Sequence, residues 1–232
     1  MSQSKQIPEN STASTQAKDQ DRPRDRELRK EDRRQRKQTI ALRHMANTAW
    51  QMFEQDGFSK VTMESIADAA DVAKATLYKY FPSKEALLDF QLREEMADQK
   101  DKIQIEIMQL PSLRARLDYL FKIEAEYLEK RKMYMTPLLQ YRMQKLDVTQ
   151  ASNKKSLFYQ ALTVLLQQAQ QSQELRADLS VESLANYLNF LRSADLFQWL
   201  AQPNCQLQDL HQRMLDLFFQ GAAANNIGVA KT

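Results

Sequence analysis

The 232-residue chain has one cysteine, Cys205, two histidines and three glycines. A single cysteine excludes an internal disulfide and any metal site built from several thiolates, and it suits a reducing compartment. His44 and His211 lie far apart, each within a helical pattern, and read as packed or surface residues rather than a catalytic pair. Three glycines leave little turn chemistry. No Gly-rich phosphate loop, nucleophile elbow or metal-ligand spacing is present, and long helices fit the scarcity better than a sheet. Long apolar runs are also missing: even Leu184 to Leu200 contains Asn189, Arg192 and Asp195, so no membrane span is expected. The N-terminus is charged and has no apolar stretch, unlike a signal peptide. The expectation is a cytoplasmic, all-α protein, not an enzyme, without metal or cofactor.

What is present is a helix-forming composition with uneven charge. Hydrophobic residues make up 43% of the chain, enough for a sizeable core if most of it folds. The net charge is only +3, but residues 22–37 hold nine cations against four acids. Basic charge there suits a polyanion, and the plain alternative is a solvated charge run. Residues 1–21 are polar with almost no large apolar side chains, and their burial would not offset the entropy of ordering. Residues 1–38 are therefore expected to be a disordered or basic arm, as a charged helical extension or a flexible segment.

The most informative stretch is 61–88, VTMESIADAADVAKATLYKYFPSKEALL. Thr62 suits the cap of a short helix from Met63 to Ala69, Ala70-Asp71-Val72 a tight turn, and Ala73 to Phe81 a second helix. Pro82 stops that helix, because proline lacks an amide donor and disfavours a helical residue before it. Ser83 then caps a long helix reaching about Leu110. Two short helices joined by a tight turn form a helix-turn-helix. Ala67 is small where the helices cross, Val72 and Leu77 pin the second helix to the first, and Lys74, Thr76, Lys79 and Tyr80 form its outer face. Cations and hydroxyls suit phosphate oxygens and base edges. A helix over 40–56, ended by Gly57 with Phe58 folding back, completes a three-helix head over 39–90.

Lys74-Ala75-Thr76-Leu77-Tyr78-Lys79-Tyr80-Phe81-Pro82-Ser83-Lys84-Glu85-Ala86-Leu87 resembles the DNA-binding motif of TetR-family transcriptional regulators, Lys-x-Thr-[Leu/Ile]-Tyr-x-[Tyr/His]-Phe-x-[Ser/Asn]-Lys-x-x-Leu. The chain departs from that pattern at Asp71, where glycine is usual, and at Ala73 and Ala75, where Ser and Gly are common. These changes bear on which sequence is read rather than on whether DNA is read. The resemblance implies a homodimer on double-stranded DNA with one recognition helix per subunit. Thr62, Tyr80 and Lys84 are expected to hold phosphates, and Lys74, Ala75, Thr76, Tyr78 and Lys79 to read bases or adjacent phosphates.

The remainder, 91–221, reads as a helical body, with 222–232 a frayed tail. Amphipathic helices are expected over 112–130, 131–146 (with Pro137 starting or kinking it), 154–174, 181–201 and 207–220, with a loop over 147–153. Glu124 interrupts an apolar stripe and is given no role. The resemblance implies a body that encloses a small-molecule effector and dimerises through its last two helices. Tyr119, Tyr127, Tyr134, Met135, Tyr141, Phe158, Phe190 and Phe197 are the candidate cavity residues, with an ordinary core as their plain alternative. Leu184, Leu188, Leu191, Leu207, Leu210, Met214 and Leu217 are the candidate dimer contacts.

The resulting expectation is a ligand-responsive repressor on a near-palindromic operator. A non-specific architectural DNA-binding protein is the main alternative and predicts steep salt dependence with little sequence preference. An activator and a helical enzyme are the others, the last without supporting residues.

Overall fold

A computed structural model describes residues 23–144 and 156–222. Among these residues the chain forms nine helices and no strand. The expected disorder of 1–21, the loop over 147–153 and the frayed tail from 223 onward lie outside what it describes, while Ala222, placed in the tail by the sequence, ends the last helix. The chain divides into two units, residues 1–42 and 43–232. In the first, the described segment is helical from Pro23 and is exposed from Leu28 to Ala41. The alternative of a helical extension is therefore the one found for the described part of the basic arm.

The helices are α1 (Pro23–Asp56), α2 (Met63–Ala69), α3 (Lys74–Tyr80), α4 (Lys84–Met108), α5 (Leu113–Glu129), α6 (Lys132–Gln144), α7 (Leu157–Gln171), α8 (Val181–Ala201) and α9 (Leu207–Ala222). Local chemistry sets several of their ends. Ser83, Ser112, Ser156 and Ser180 each accept a hydrogen bond from the amide three residues on, satisfying one orphan donor of α4, α5, α7 and α8. Gly57 stops α1 at φ +87, a region that costs glycine no Cβ clash, and its amide donates to Phe53 O at 3.1 Å.

Two ends depend on distant carboxylates. Glu174 Oε2 accepts from the Leu113 amide at 2.7 Å, and Glu129 Oε1 accepts from the Leu207 amide at 2.9 Å. Each places negative charge at a helix N-terminus, where the dipole favours it.

The body core joins α5, α7, α8 and α9 around Leu117, Phe121, Leu162, Leu166, Leu188 and Leu215, with Ile107 of α4 at its edge. Glu124 is also buried, at 6% exposure. Its carboxylate takes two bonds from Arg192 Nε, at 2.7 and 2.8 Å, and a further one from Arg192 Nη2. The guanidinium lies 4.4 Å from the Phe158 ring centroid. The residue given no role in the sequence is thus half of a buried ion pair joining α5 to α8.

The head and body meet through α6. Tyr134 is buried, and its hydroxyl donates to Phe53 O at 3.2 Å while its ring packs on Trp50. Asp89 of α4 accepts from Arg142 of α6 at 2.7 Å, and Glu95 of α4 accepts from Tyr127 and Arg131 at 2.8 and 2.7 Å. Pro137 lies inside α6 and does not end it.

Candidate nucleic-acid interface

The helix-turn-helix is built from a tight set of backbone bonds. Thr62 Oγ1 accepts from the Ser65 amide at 3.1 Å, while Ser65 Oγ accepts from the Thr62 amide at 3.1 Å, a reciprocal cap that fixes the start of α2. Ile66 and Ala67 are fully buried, so α2 presents a flat inner face to α3. The Val72 amide donates to Ala67 O at 3.0 Å and closes the turn. Asp71 takes φ +52, the left-handed conformation that the usual glycine would adopt more easily. On α1, His44 Nε2 lies 3.2 Å from Ala70 O. A carbonyl only accepts, so that nitrogen carries the proton and ties α1 to the end of α2.

The second helix starts without a side-chain cap. Ala73 occupies the cap position and makes no side-chain bond, so the start relies on Ala73 O accepting from the Thr76 and Leu77 amides at 2.8 and 3.1 Å. A missing polar cap costs a helix about 1 kcal/mol. Leu77 compensates, being fully buried against the head, where burial of such a side chain contributes about 1.5–3 kcal/mol. With Leu77 turned inward, Lys74, Ala75, Thr76, Tyr78 and Lys79 all face solvent on α3, and Thr62 is exposed at the start of α2. Tyr80 is half-buried, with Lys79 Nζ 5.6 Å from its ring centroid.

Two residues are placed differently from a simple exposed patch. The Lys84 ammonium donates to Phe58 O at 2.6 Å and sits 4.7 Å from the Phe58 ring centroid, so part of its bonding capacity is used inside the head. The Tyr78 hydroxyl donates to Glu64 Oε1 at 3.1 Å. Glu64 has its pKa lowered by its own backbone amide and then by the Tyr78 hydroxyl, and the carboxylate in turn raises the pKa of the phenol. Glu64 thus puts a negative charge beside the cations of α3. Its partner lies fourteen positions away, outside any helical repeat, so the sequence carried no signal for it.

The candidates for an effector cavity are not brought together. Tyr119 and Tyr127 are half-buried, with their hydroxyls donating to Glu106 and Glu95, and Tyr141 is half-buried on α6. Tyr134 joins body to head, while Met135 and Phe158 are core. Phe190 and Phe197 are 78% and 49% exposed on α8. One described cleft, of about 340 Å³, lies between α5 and α9, with Leu110 at its edge. Tyr119 lines it together with Phe121, Lys122, His211, Gln212 and Leu215.

The dimer candidates divide in a similar way. Leu184, Leu188, Leu207, Leu210 and Met214 are buried within their own chain, Leu191 is half-buried, and Leu217 is 61% exposed. Their helical spacing marked the core seam of α8 and α9. The apolar side chains left outside are Tyr187, Phe190 and Phe197 of α8 with Leu217 of α9.

Residues 47–89 match the family model described as bacterial regulatory proteins, tetR family. A Mycobacterium tuberculosis protein named as a mycofactocin biosynthesis transcriptional regulator is 35% identical over 57 residues, 25% of this chain, and the match spans only 29% of that protein's length. The fold is similar to that of Thermus thermophilus FadR, described as a TetR-family transcriptional repressor in complex with lauroyl-CoA. That likeness has a TM-score of 0.66 and 23% identity, and covers 82% of this chain and 100% of that one. Bacillus subtilis FadR in complex with stearoyl-CoA matches with a TM-score of 0.56 and 19% identity, covering 77% of this chain and 97% of that one. At these identities the likeness is one of fold. Residues 47–89 are thus similar to the tetR family of bacterial regulatory proteins, and the all-helical fold is similar to that of solved TetR-family structures.

Proposed function

We propose that the chain is a sequence-specific DNA-binding transcriptional regulator of the cytoplasm, a ligand-responsive repressor that binds a near-palindromic operator as a homodimer. The carrying observation is the exposed face of α3, Lys74, Thr76, Tyr78 and Lys79 over a buried Leu77, within the segment that matches the family. Seven residues make α3 about 10 Å long at 1.5 Å per residue, a size that a major groove about 12 Å wide admits end-on or at a slant. Thr62 and Tyr80 contact phosphates and set the register, while Lys74, Ala75, Thr76, Tyr78 and Lys79 face the bases. Lys84 supports the phosphate contacts from its anchored position beside Phe58.

Two subunits join through the apolar face left open by Tyr187, Phe190, Phe197 and Leu217, and their recognition helices meet half-sites about 34–36 Å apart or somewhat more. The effector is a small molecule that binds the body. The FadR relatives hold acyl-CoA ligands, which supports a body able to admit an extended molecule. Its binding favours an arrangement of the body that fits the operator less well, and the shift passes to the head through α4 and α6, by way of Asp89, Glu95 and Tyr134.

Selection of bound fragments from random genomic DNA, followed by footprinting, tests this reading. A discrete two-fold symmetric site is expected. On that site Thr76→Ala or Lys79→Ala should change preference at particular base pairs by about 1–3 kcal/mol, whereas Tyr80→Ala should weaken all sequences alike. Recovery without a shared motif would overturn sequence-specific regulation.

A further inference from the structure

The cleft between α5 and α9 has a fixed shape and an apolar floor. Its volume is about 340 Å³, at the small end of the range for ligand pockets. Its lining runs from Ala115 to Lys122 on α5 and from Gln208 to Leu215 on α9. Each stretch repeats at steps of three and four residues, so two helices side by side form a slot about 10 Å long at 1.5 Å per residue. Both ends of the slot are held. Arg114 of α5 donates to Asp216 of α9 at 2.7 Å, and Glu129 of α5 accepts from the Leu207 amide that starts α9 at 2.9 Å. Phe121 and Leu215, both buried, lie at the bottom.

One polar atom of the slot is left over. His211 lines it and is 1% exposed, and its Nδ1 lies 3.4 Å from Phe121 O. A carbonyl only accepts, so Nδ1 carries the proton. Burial lowers the pKa of the ring and keeps it neutral, which makes Nε2 a bare acceptor. That nitrogen has no hydrogen-bond partner, although buried acceptors are nearly always paired. What it lacks is a donor. The side-chain amide of Gln208, three residues earlier on the same face, bonds to nothing among the described residues. It gives way to a ligand over the imidazole by a change of rotamer. The charges on the walls are already met. Asp118 takes two bonds from Arg114 Nε, at 3.0 and 2.9 Å, and Lys122 stands 3.8 Å from Glu126. The slot therefore suits a neutral molecule with an apolar body and one donor.

We propose that the α5–α9 slot binds a neutral, flat, two-ring molecule with one hydroxyl or N–H, its rings on Phe121 and Leu215 and its donor on His211 Nε2. Phe121 and His211 already meet edge to face, with centroids 4.9 Å apart and planes at 74°, and a further ring extends that packing. At about 100° per residue the slot positions of α9 centre about 170° from Leu217, with the core face between them. A dimer closed over Leu217 therefore leaves the slot open. The inference rests on the ligand-responsive reading and gives the effector a place and a chemistry.

The test uses two probes, β-naphthol and its methyl ether, which share the rings and differ in the donor. Ligand-observed NMR titrations of the full-length protein give their affinities, and amide shifts locate them. The proteins are wild type, His211→Phe, His211→Leu and Ala115→Trp, the last filling the slot from its half-buried wall. Circular dichroism and thermal melting check that each is folded, and the two His211 variants guard against one of them disturbing the core. Wild type should bind β-naphthol about tenfold more tightly than the ether, a ratio that one buried hydrogen bond supplies, with shifts along α5 and α9. Either His211 variant should make the two affinities equal, whereas loss of a merely structural histidine would lower both and keep their ratio. Ala115→Trp should bind neither probe. Equal affinities in wild type overturn the proposal, since no donor then meets Nε2. So does a ratio that survives both His211 variants, or binding that survives Ala115→Trp. Operator affinity separates this inference from the reading beneath it. A wild type that selects its operator but binds neither probe loses the slot alone. β-Naphthol bound in the slot with operator affinity unchanged keeps the site and removes the ligand response.

Discussion

At the scale of single residues the head and the body use charge in opposite ways. On α3 the cations Lys74 and Lys79 stand in solvent around one buried leucine. In the body, charges are placed where they are costly. Asp195 of α8 has a buried Oδ2 without a hydrogen-bond partner. Burial pushes its pKa up to about 6 from 3.8, with Arg213 pulling it part of the way back. The folded chain therefore binds this proton more tightly than the unfolded chain does. Between about pH 3.8 and 6 stability is lost from this group as pH rises, and the penalty is complete above that window. Asp195→Asn is expected to stabilise the protein at neutral pH, with the gain fading toward the acidic end of the window. Urea titrations across that range check it, and a gain equal at every pH would sink the argument. His211 works in the other direction, because burial lowers its pKa. It is common to wild type and variant, so the difference isolates Asp195.

At the scale of elements, α5 and α8 are joined by Glu124 and Arg192 through the middle of the body. Such a pair contributes little net stability over an apolar one, because both ions lose their hydration. Removing one partner is a different matter. Glu124→Ala would leave the Arg192 guanidinium buried on Phe158 without its carboxylate, and a loss of about 3–5 kcal/mol is expected. The double change Glu124→Met/Arg192→Met should recover most of that loss. Chemical denaturation of the three proteins measures both, and a double variant no better than Glu124→Ala would mean that the site tolerates no apolar filling. The same reasoning separates α6 from its neighbours: α6 holds the head by the Tyr134 hydroxyl and by the Arg142–Asp89 ion pair to α4, polar contacts that exchange partners more readily than packed leucines do. That makes α6 the natural place for a body-to-head signal under the proposed mechanism.

At the scale of the whole molecule, the proposed dimer turns on the outer face of α8. Tyr187, Phe190 and Phe197 recur at three- and seven-residue steps and lie on one stripe, with Leu217 exposed on α9. Under the proposed function this stripe is the face that a second copy covers. Phe190→Asp should give a folded monomer in sedimentation experiments, with unchanged helix content and operator affinity lower by at least about a hundredfold, because two half-sites are no longer held together. A variant that remains dimeric would move the interface elsewhere.

The sequence by itself determined the helical class, the order of the helices and the helix-turn-helix. These depend on local terms: apolar residues at helical spacing, serine caps, the stops at Gly57 and Pro82, and the short-range motif around Thr76 and Tyr80. It also displayed the apolar seam of α8 and α9, because periodicity reports that a face is covered. Periodicity does not report what covers it. Leu188 and Met214, candidates for a partner subunit, are buried within their own chain, while Phe190 and Phe197, candidates for a cavity, are exposed on it. The pairs Glu124–Arg192, Glu64–Tyr78 and Glu129 with the Leu207 amide join positions fourteen to seventy-eight residues apart. Only the tertiary structure decided these, since such contacts follow from how helices are docked, and docking is a sum over many side chains that no local pattern contains.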